Sequence, residues 1–470
     1  MFSFPRRMWR LLSCLLILLR IDAFPGLFHG WKGRIIRTVL RLGPPSKQLV
    51  SAPRLADALT RLGPAFIKLG QAMSLRPDLV GHEIAQALRC LQDKVPPFSS
   101  ELAIGTVEEE LGDKVENLYA SFDPHPKAAA SIAQVHFATA LDGQPLAVKI
   151  LRPAIEARFA EDIAVIDLAA RILVRCSRTA RRMKLVEVVD TFKSWVTIEL
   201  DLRLEAAAAS ELATNFKDKP EGFDVPSIYW PLCTKRVLTL ERVNGFRLDD
   251  QDAMRAAGLD PGDILARSAR IFFIQVFRDG FFHADLHPGN VFVTEDGRIR
   301  PVDFGIMGRL SKRSRLFLAE MLQGFLERDY ERVATVHFRY GLIDQGQSKA
   351  RFILALRAIG EPIMGLPIGD VSLGRLLAQL FETTAQFNMS PHMDFLLLQK
   401  TMLGAEGIGR MLQPGQNMWV MAEPLIKLWV QENCSAQAQI QDLLHQLTRS
   451  LQHLPAWIDW VEARMQETKS

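Results

Sequence analysis

The run His283-Ala284-Asp285-Leu286-His287-Pro288-Gly289-Asn290, followed shortly by Asp303-Phe304-Gly305, constrains this chain more than any other stretch. Between the two motifs, Asn290 to Thr294 and Arg298 to Val302 read as short strands, and Glu295-Asp296-Gly297 as the tight turn joining them, because Asp-Gly is a strong hairpin signal. A hairpin would return the chain so that Asn290 lies beside Asp303. A carboxamide and a carboxylate brought together in this way are hard oxygen donors of the kind magnesium prefers.

In order and spacing the two motifs match the H-x-D-x-x-x-x-N and D-F-G elements of protein kinases. There the first Asp accepts the proton of the attacking hydroxyl, while the Asn and the second Asp bind magnesium bridging the phosphates. Asp285 falls at the base position, and Asn290 and Asp303 at the metal positions. Either motif alone is ordinary loop chemistry. Two of them in register across a predicted hairpin point to phosphoryl transfer.

Upstream, Ile132 to Ala138 and Leu146 to Ile150 read as two strands around a turn at Asp142-Gly143. The second contains Ala147-Val148-Lys149-Ile150, which resembles the kinase strand bearing the phosphate-binding lysine. Lys149 is therefore the candidate for the α and β phosphates, although a lone lysine on a strand is usually a solvated edge charge. Ordinary kinases place a G-x-G-x-x-G loop before this strand. Here the loop is Ala128-Ala129-Ala130-Ser131-Ile132-Ala133. Each added β-carbon restricts the backbone, so nucleotide is expected to be held differently or more weakly than on glycines.

The rest of the chain is mostly helical in pattern. Leu55 to about Leu118 shows helical periodicity broken at Gly63-Pro64, Arg76-Pro77 and Pro96-Pro97, and Arg152 to Phe216 reads as several helices. Within the latter, Glu199 and Glu205 are six positions apart, so on a single helix they face different directions and serve different partners. Phe223 to Val243 looks like further small-lobe strand and linker. Gly262 to Phe282 reads as an amphipathic helix leading to His283, and everything after Gly305 as helical, punctuated near Pro362, Pro391 and Pro414.

Composition narrows the partners. A net charge of +4 on 470 residues gives no reason to invoke nucleic acid. The first 56 residues, however, carry ten basic side chains, from Arg6 to Arg54, against one acid, Asp22. Such a segment favours an anionic membrane surface. The apolar run Leu11 to Leu19 inside it is too short to span a bilayer, which takes about 20 apolar residues. It reads either as an interfacial anchor or as a helix packed on the protein's own core. A signal peptide is disfavoured, since no small-x-small site follows cleanly and export would part an ATP-dependent site from its ATP. The five cysteines, Cys14, Cys90, Cys176, Cys233 and Cys434, are scattered without a C-x-x-C pair, which suggests neither disulfides nor zinc and favours a cytosol-facing location.

Taken together, Lys68-Leu69-Gly70-Gln71, the alanine-rich loop running on to Gln134-Val135-His136, Glu199-Leu200-Asp201, His283-Ala284-Asp285 and Asp303-Phe304-Gly305 resemble the UbiB family of atypical kinases, from about Arg54 to about Pro414. The resemblance implies an α+β, bilobed protein-kinase-like fold, with a small β-containing N-lobe, a helical C-lobe and a helical N-terminal extension. The corresponding organisation is a basic segment over 1–54, a K-x-G-Q module over 55–118, an N-lobe with a helical insertion over 119–243, a C-lobe over 244–414 and a helical extension over 415–470. It further implies that Lys149 pairs with Glu205 to order the phosphate site. Lys68 and Gln71 would fold over the cleft with Glu199 and Asp201 as gating partners, Lys68 reaching Glu199.

Family members are associated with ubiquinone biosynthesis at the inner membrane and with kinase-like or ATPase activity. The resemblance thus implies ATP and magnesium as cofactors, and a lipid or quinone precursor, the membrane surface and other ubiquinone-biosynthesis proteins as partners. With a K-x-G-Q cover and no A-P-E element after Asp303-Phe304-Gly305, ATP hydrolysis or action on a small lipid is expected rather than phosphorylation of proteins in trans. A non-catalytic ATP-gated scaffold is the alternative. Direct hydroxylation of a quinone precursor is disfavoured, because oxygen insertion needs flavin, haem or iron and no dinucleotide fingerprint or paired-histidine site is evident. Many bacterial members end in two hydrophobic helices, whereas this chain ends at Ala456-Trp457-Ile458-Asp459-Trp460-Val461-Glu462 and a polar tail. Peripheral attachment to the cytoplasmic face is therefore expected over integral insertion.

Overall fold

The computed structural model describes residues 52–434, apart from 75–79, 81, 89–90, 92–95, 177–180, 182–183, 218, 220, 365–371, 388, 390–392 and 414–417. The basic amino-terminal segment, its apolar run and the Ala456–Glu462 stretch lie outside the described residues. Along the chain come helices α1 (Ala52–Leu62), α2 (Pro64–Ser74), α3 (His82–Leu88), α4 (Ser100–Leu111) and α5 (Val115–Leu118), then strands β1 (Ser121–Phe122), β2 (Ala128–Ala129), β3 (Ala133–Thr139) and β4 (Pro145–Leu151). Next are α6 (Ile155–Cys176), α7 (Leu185–Glu199), α8 (Leu202–Phe216), β5 (Val237–Glu241), β6 (Phe246–Arg247), α9 (Gln251–Ala256), α10 (Pro261–Phe273), β7 (Phe281–His283), β8 (Val291–Val293), β9 (Ile299–Pro301) and β10 (Met307–Arg309). The chain closes with α11 (Lys312–Leu326), α12 (Tyr330–Arg339), α13 (Lys349–Met364), α14 (Leu373–Ala385), α15 (Met393–Leu412) and α16 (Met418–Cys434).

These elements form two compact units. The first comprises the described residues up to Leu259, together with Ala284–Met307 and Phe395–Lys400. Its main sheet is antiparallel in the order β1-β3-β4-β5, with β2 also pairing β3. Period-two alternation on β4 explains how this sheet is used. Leu146, Val148 and Ile150 are fully buried in one apolar cluster with Val107 of α4, Val115 of α5 and Tyr119. Lys149 therefore points to the opposite face.

A second cluster joins Leu55, Leu59, Phe66 and Leu88 of α1 to α3 with Phe159, Val165, Val189 and Val196 of α6 and α7. Gly70 explains how close α2 lies to its neighbours. A β-carbon there would stand 2.3 Å from the side chain of Leu91 and 2.8 Å from that of Leu59. A larger residue there would have to displace the Leu91 and Leu59 side chains.

The hairpin read from the sequence forms as a small sheet in the order β6-β8-β9, with Val291 opposite Pro301 and Val293 opposite Ile299. Its turn closes through Thr294 N–H to Arg298 O at 2.9 Å, and Gly297 adopts φ +77°, a left-handed conformation that glycine takes without strain.

The second unit comprises Asp260–His283, Gly308–Asp394 and the described residues after Lys400. Gly262 to Phe282 is not one helix, as its periodicity had suggested. Asp260 caps α10 by accepting from Asp263 N–H; α10 ends at Phe273, a wider π turn covers Ile274–Asp279, and Gly280 then leads into β7. Pro362 lies within α13 two residues before its end, so it marks a terminus without splitting the helix. No helix among the described residues is long and apolar enough to cross a membrane. Helix α16 carries Glu423, Pro424 and Lys427 within its apolar run.

Candidate active site

Lys149 leaves the middle of β4 and meets two carboxylates. Its Nζ donates to Glu205 Oε1 at 2.7 Å and Oε2 at 2.9 Å, and to Asp303 Oδ1 at 3.2 Å. Helix α8 supplies Glu205 from its first turn. That helix starts where it does because Asp201 caps it, accepting from Arg203 N–H at 3.2 Å. Glu199 instead ends α7, so the two glutamates stand on different helices separated by a break at Leu200-Asp201. Their different partners follow from that break, and not from two faces of one helix.

The D-F-G backbone closes the cluster. Phe304 N–H donates to Glu205 Oε1 at 3.3 Å, and Gly305 N–H to Asp303 Oδ1 at 3.1 Å. The Phe304 ring is buried, while the Asp303 side chain keeps 43 % of its surface exposed against 6 % for Glu205. The cluster is thus dry at Glu205 and open at Asp303.

One ammonium shared by two carboxylates leaves a net negative charge. Burial pushes the Glu205 carboxyl up to about 7 against the attraction of Lys149, with Asp303 adding repulsion. Burial alone would lower the Lys149 ammonium, but the charges of Asp303 and Glu205 outweigh it and raise it, so this lysine stays protonated.

Asn290 is brought to the same place by the β8–β9 hairpin. Its carbonyl accepts from Val302 N–H at 3.0 Å, directly before Asp303. Among the described residues no group of three or more His, Cys, Asp and Glu gathers as a metal site. Magnesium needs fewer protein ligands, since it takes one or two carboxylates and completes its octahedron with water and phosphate oxygens. The part-exposed carboxylate of Asp303 and the amide of Asn290 fit that demand.

Asp285 is held by a residue absent from the sequence reading. Lys400 Nζ of α15 donates to its Oδ1 at 2.7 Å. The neighbouring His287 turns its ring onto its own loop, Nδ1 accepting from Gly289 N–H at 3.0 Å. The sequence marks Lys400 only as a lone cation within Phe395-Leu396-Leu397-Leu398-Gln399-Lys400-Thr401-Met402, and does not name its partner.

The alanine-rich loop is fastened down. Ala128 and Ala129 pair with Val135 and Gln134, and Ala130 N–H donates to Ala133 O at 2.8 Å, closing a tight turn. Arg152 donates from Nε and Nη2 to Ala130 O at 3.1 and 2.8 Å, a clamp not foreseen from sequence. Ser131 and Ile132 are buried, and the Ser131 hydroxyl has no hydrogen-bond partner among the described residues.

In the K-x-G-Q stretch, Lys68 forms an ion pair with Glu199, and Gln71 Nε2 donates to Leu91 O at 3.4 Å. Asp201 is occupied by Arg203, which lowers its carboxyl through a bidentate contact at 2.9 and 2.6 Å.

A β-strand lysine tied to a helix glutamate and a D-F-G aspartate, beside an H-x-D loop, defines a kinase-like site. Residues 90–337 match the ABC1 atypical kinase-like domain and residues 356–417 the UbiB helical domain. The chain belongs to the UbiB family of ABC1 atypical kinase-like proteins, and its fold is the protein-kinase-like α+β fold of that group.

Among its relatives, the probable protein kinase UbiB of Azotobacter vinelandii is 42% identical over 407 residues, covering 86% of this chain and 75% of that one. The protein of the same name from Marinobacter nauticus is 40% identical over 419 residues, 88% of this chain and 75% of that one. A solved structure, Rv3197 of Mycobacterium tuberculosis in complex with erythromycin, is similar at 25% identity and a TM-score of 0.51. It covers 82% of this chain and 99% of that one.

Proposed function

We propose that this protein binds and hydrolyses Mg-ATP to support ubiquinone biosynthesis, working peripherally at the cytoplasmic face of the membrane on a lipid precursor or on its biosynthetic assembly, and not on proteins in trans. The carrying observation is the cluster in which Lys149 is held between Glu205 and Asp303. A lysine anchored by one carboxylate and aimed towards a second, part-exposed one is pre-positioned for phosphates and their counter-ion. In this reading Ala128 to Ala133 cover the nucleotide and Lys149 contacts its phosphates. Asn290 and Asp303 would hold magnesium, whose chemistry is to neutralise charge on the transferring phosphoryl oxygens. Asp285 serves as the base.

The ion pair of Lys68 with Glu199 supports a gating role for the K-x-G-Q helix, with Gln71 and Asp201 as its neighbours in the same motifs. The relatives' name, UbiB, supports the link to quinone synthesis. The domain limits proposed are 1–54, 55–118, 119–243, 244–414 and 415–470.

The test is ATP turnover by purified protein with and without anionic liposomes and a phenolic quinone-precursor mimic. Magnesium-dependent turnover is expected in the wild type, rising with liposomes and mimic and lost in Asp303→Asn. Turnover that survives Asp303→Asn would sink the assignment. If Asp285→Asn left cellular quinone production intact while ATP-binding variants abolished it, a nucleotide-gated scaffold would replace the enzyme.

A further inference from the structure

We propose that Lys400, from the segment matching the UbiB helical domain, is a positioning residue for Asp285, so that the helical domain supplies part of the catalytic machinery. The inference rests on the function proposed above and extends it to a residue outside the kinase-like match.

Three observations carry it. The loop from His283 to Asn290 contains no lysine or arginine of its own to hold Asp285. A cation arrives instead from 115 positions downstream, with Lys400 Nζ 2.7 Å from Asp285 Oδ1. Residues Phe395–Lys400 belong to the same compact unit as Ala284–Met307, although the rest of α15 belongs to the other.

The pair is not there for stability. Lys400 is 38 % exposed and Asp285 36 %, and exposed ion pairs contribute little to folding. What the contact does is fix the direction of a short carboxylate on a loop. Phe395, Leu396, Leu397, Leu398 and Met402, buried around Lys400, hold the helix that carries it. A base must stand within hydrogen-bond reach of the proton it takes, and small displacements of such a group are costly in rate. Oδ1 tied to an ammonium on a rigid helix removes the freedom to swing away.

The experiment is a double-mutant cycle on Mg-ATP turnover. Lys400→Met is expected to lower kcat roughly 10-fold with KM for ATP changed less than about 2-fold, because Asp285 acts on the reacting group and not on nucleotide affinity. Lys400→Arg should restore most of the rate. In an Asp285→Asn background, Lys400→Met should cost no further activity, since nothing remains to be positioned. Unchanged kcat in Lys400→Met, or an equal loss with and without Asp285, overturns the inference while leaving Asp303-dependent turnover standing. A wild type that shows no Asp303-dependent turnover overturns the proposed function, and the inference with it, before any Lys400 variant is compared. Should Lys400→Met not fold, as judged by ATP binding and thermal midpoint, Lys400→Gln carries the same expectations.

Discussion

Lys149 and Lys400 each hold a carboxylate of the candidate active site at 2.7 Å, yet one pair is buried and the other lies open to water. Side-chain exposure is 15 % and 6 % for Lys149 and Glu205, against 38 % and 36 % for Lys400 and Asp285. Equal distance does not mean equal energy. In a dry site each charge has lost its hydration and depends on its partner, so removing one partner strands the other. In water the stranded charge is simply rehydrated. Burial therefore gives Lys149 a structural part beside its proposed contact with phosphate, whereas the exposed Lys400 is proposed to act through Asp285. Lys68 with Glu199, at 11 % and 22 %, falls between them.

The largest effect expected is that of Lys149→Met. It should abolish Asp303-dependent turnover and destabilise the protein by about 3 kcal/mol, because Glu205 is left buried beside Asp303 with no cation. Urea denaturation measures it. A loss below about 1 kcal/mol would erase the distinction between the buried and exposed pairs.

A second effect of burial is a dependence on pH. Glu205 rises from 4.5 to about 7 on folding, so between those values the folded protein holds a proton that the unfolded chain has released. Stability then falls as pH rises through that window; the contribution is full below 4.5 and gone above about 7. Urea midpoints across the window should show this slope in the wild type and lack it in Glu205→Gln. An identical slope in both proteins would assign the titration to another group.

Lys68→Met tests the intermediate case. Its expected cost is about 1 kcal/mol, larger than for an exposed pair and smaller than for Lys149. A gating role would add a change in ATP turnover, which a purely structural pair would leave alone.

How much of this was legible in the sequence differs by residue. Lys149 could be found because Ala147-Val148-Lys149-Ile150 resembles the kinase lysine strand, and the structure adds the reason it points to the site: Leu146, Val148 and Ile150 take one face of β4 and the lysine the other. Asn290 and Asp303 could be placed together because Asp296-Gly297 demands a tight turn, and a turn fixes the register of its strands. Glu205 was reached only through family resemblance. Its helix begins at a break that Asp201 caps, and a six-residue spacing read on one continuous helix does not reveal such a break. Arg152 and Lys400 were missed because each acts through a long-range contact. Local pattern predicts that a lysine follows Gln399 on a helix, but nothing local says which carboxylate, 115 positions away, it will meet. The π turn before His283 was missed for a related reason: the apolar periodicity runs straight through Ile274–Asp279, while the backbone changes its winding.

The smallest effect expected is the contribution of Lys400 and Asp285 to stability, and it gives the sharpest contrast with Lys149. A double-mutant cycle on urea unfolding should give a coupling of about 0.5 kcal/mol or less. Because both groups touch solvent, raising ionic strength from about 0.1 M to about 1 M shortens the Debye length from about 10 Å to about 3 Å and should reduce that coupling further. The Lys149 and Glu205 coupling, shielded from ions by burial, should persist under the same change. If the Lys400 pair instead proved strong and insensitive to salt, it too would be a buried structural pair in solution, and a rate loss in Lys400→Met could no longer be read as the effect of an unpositioned base.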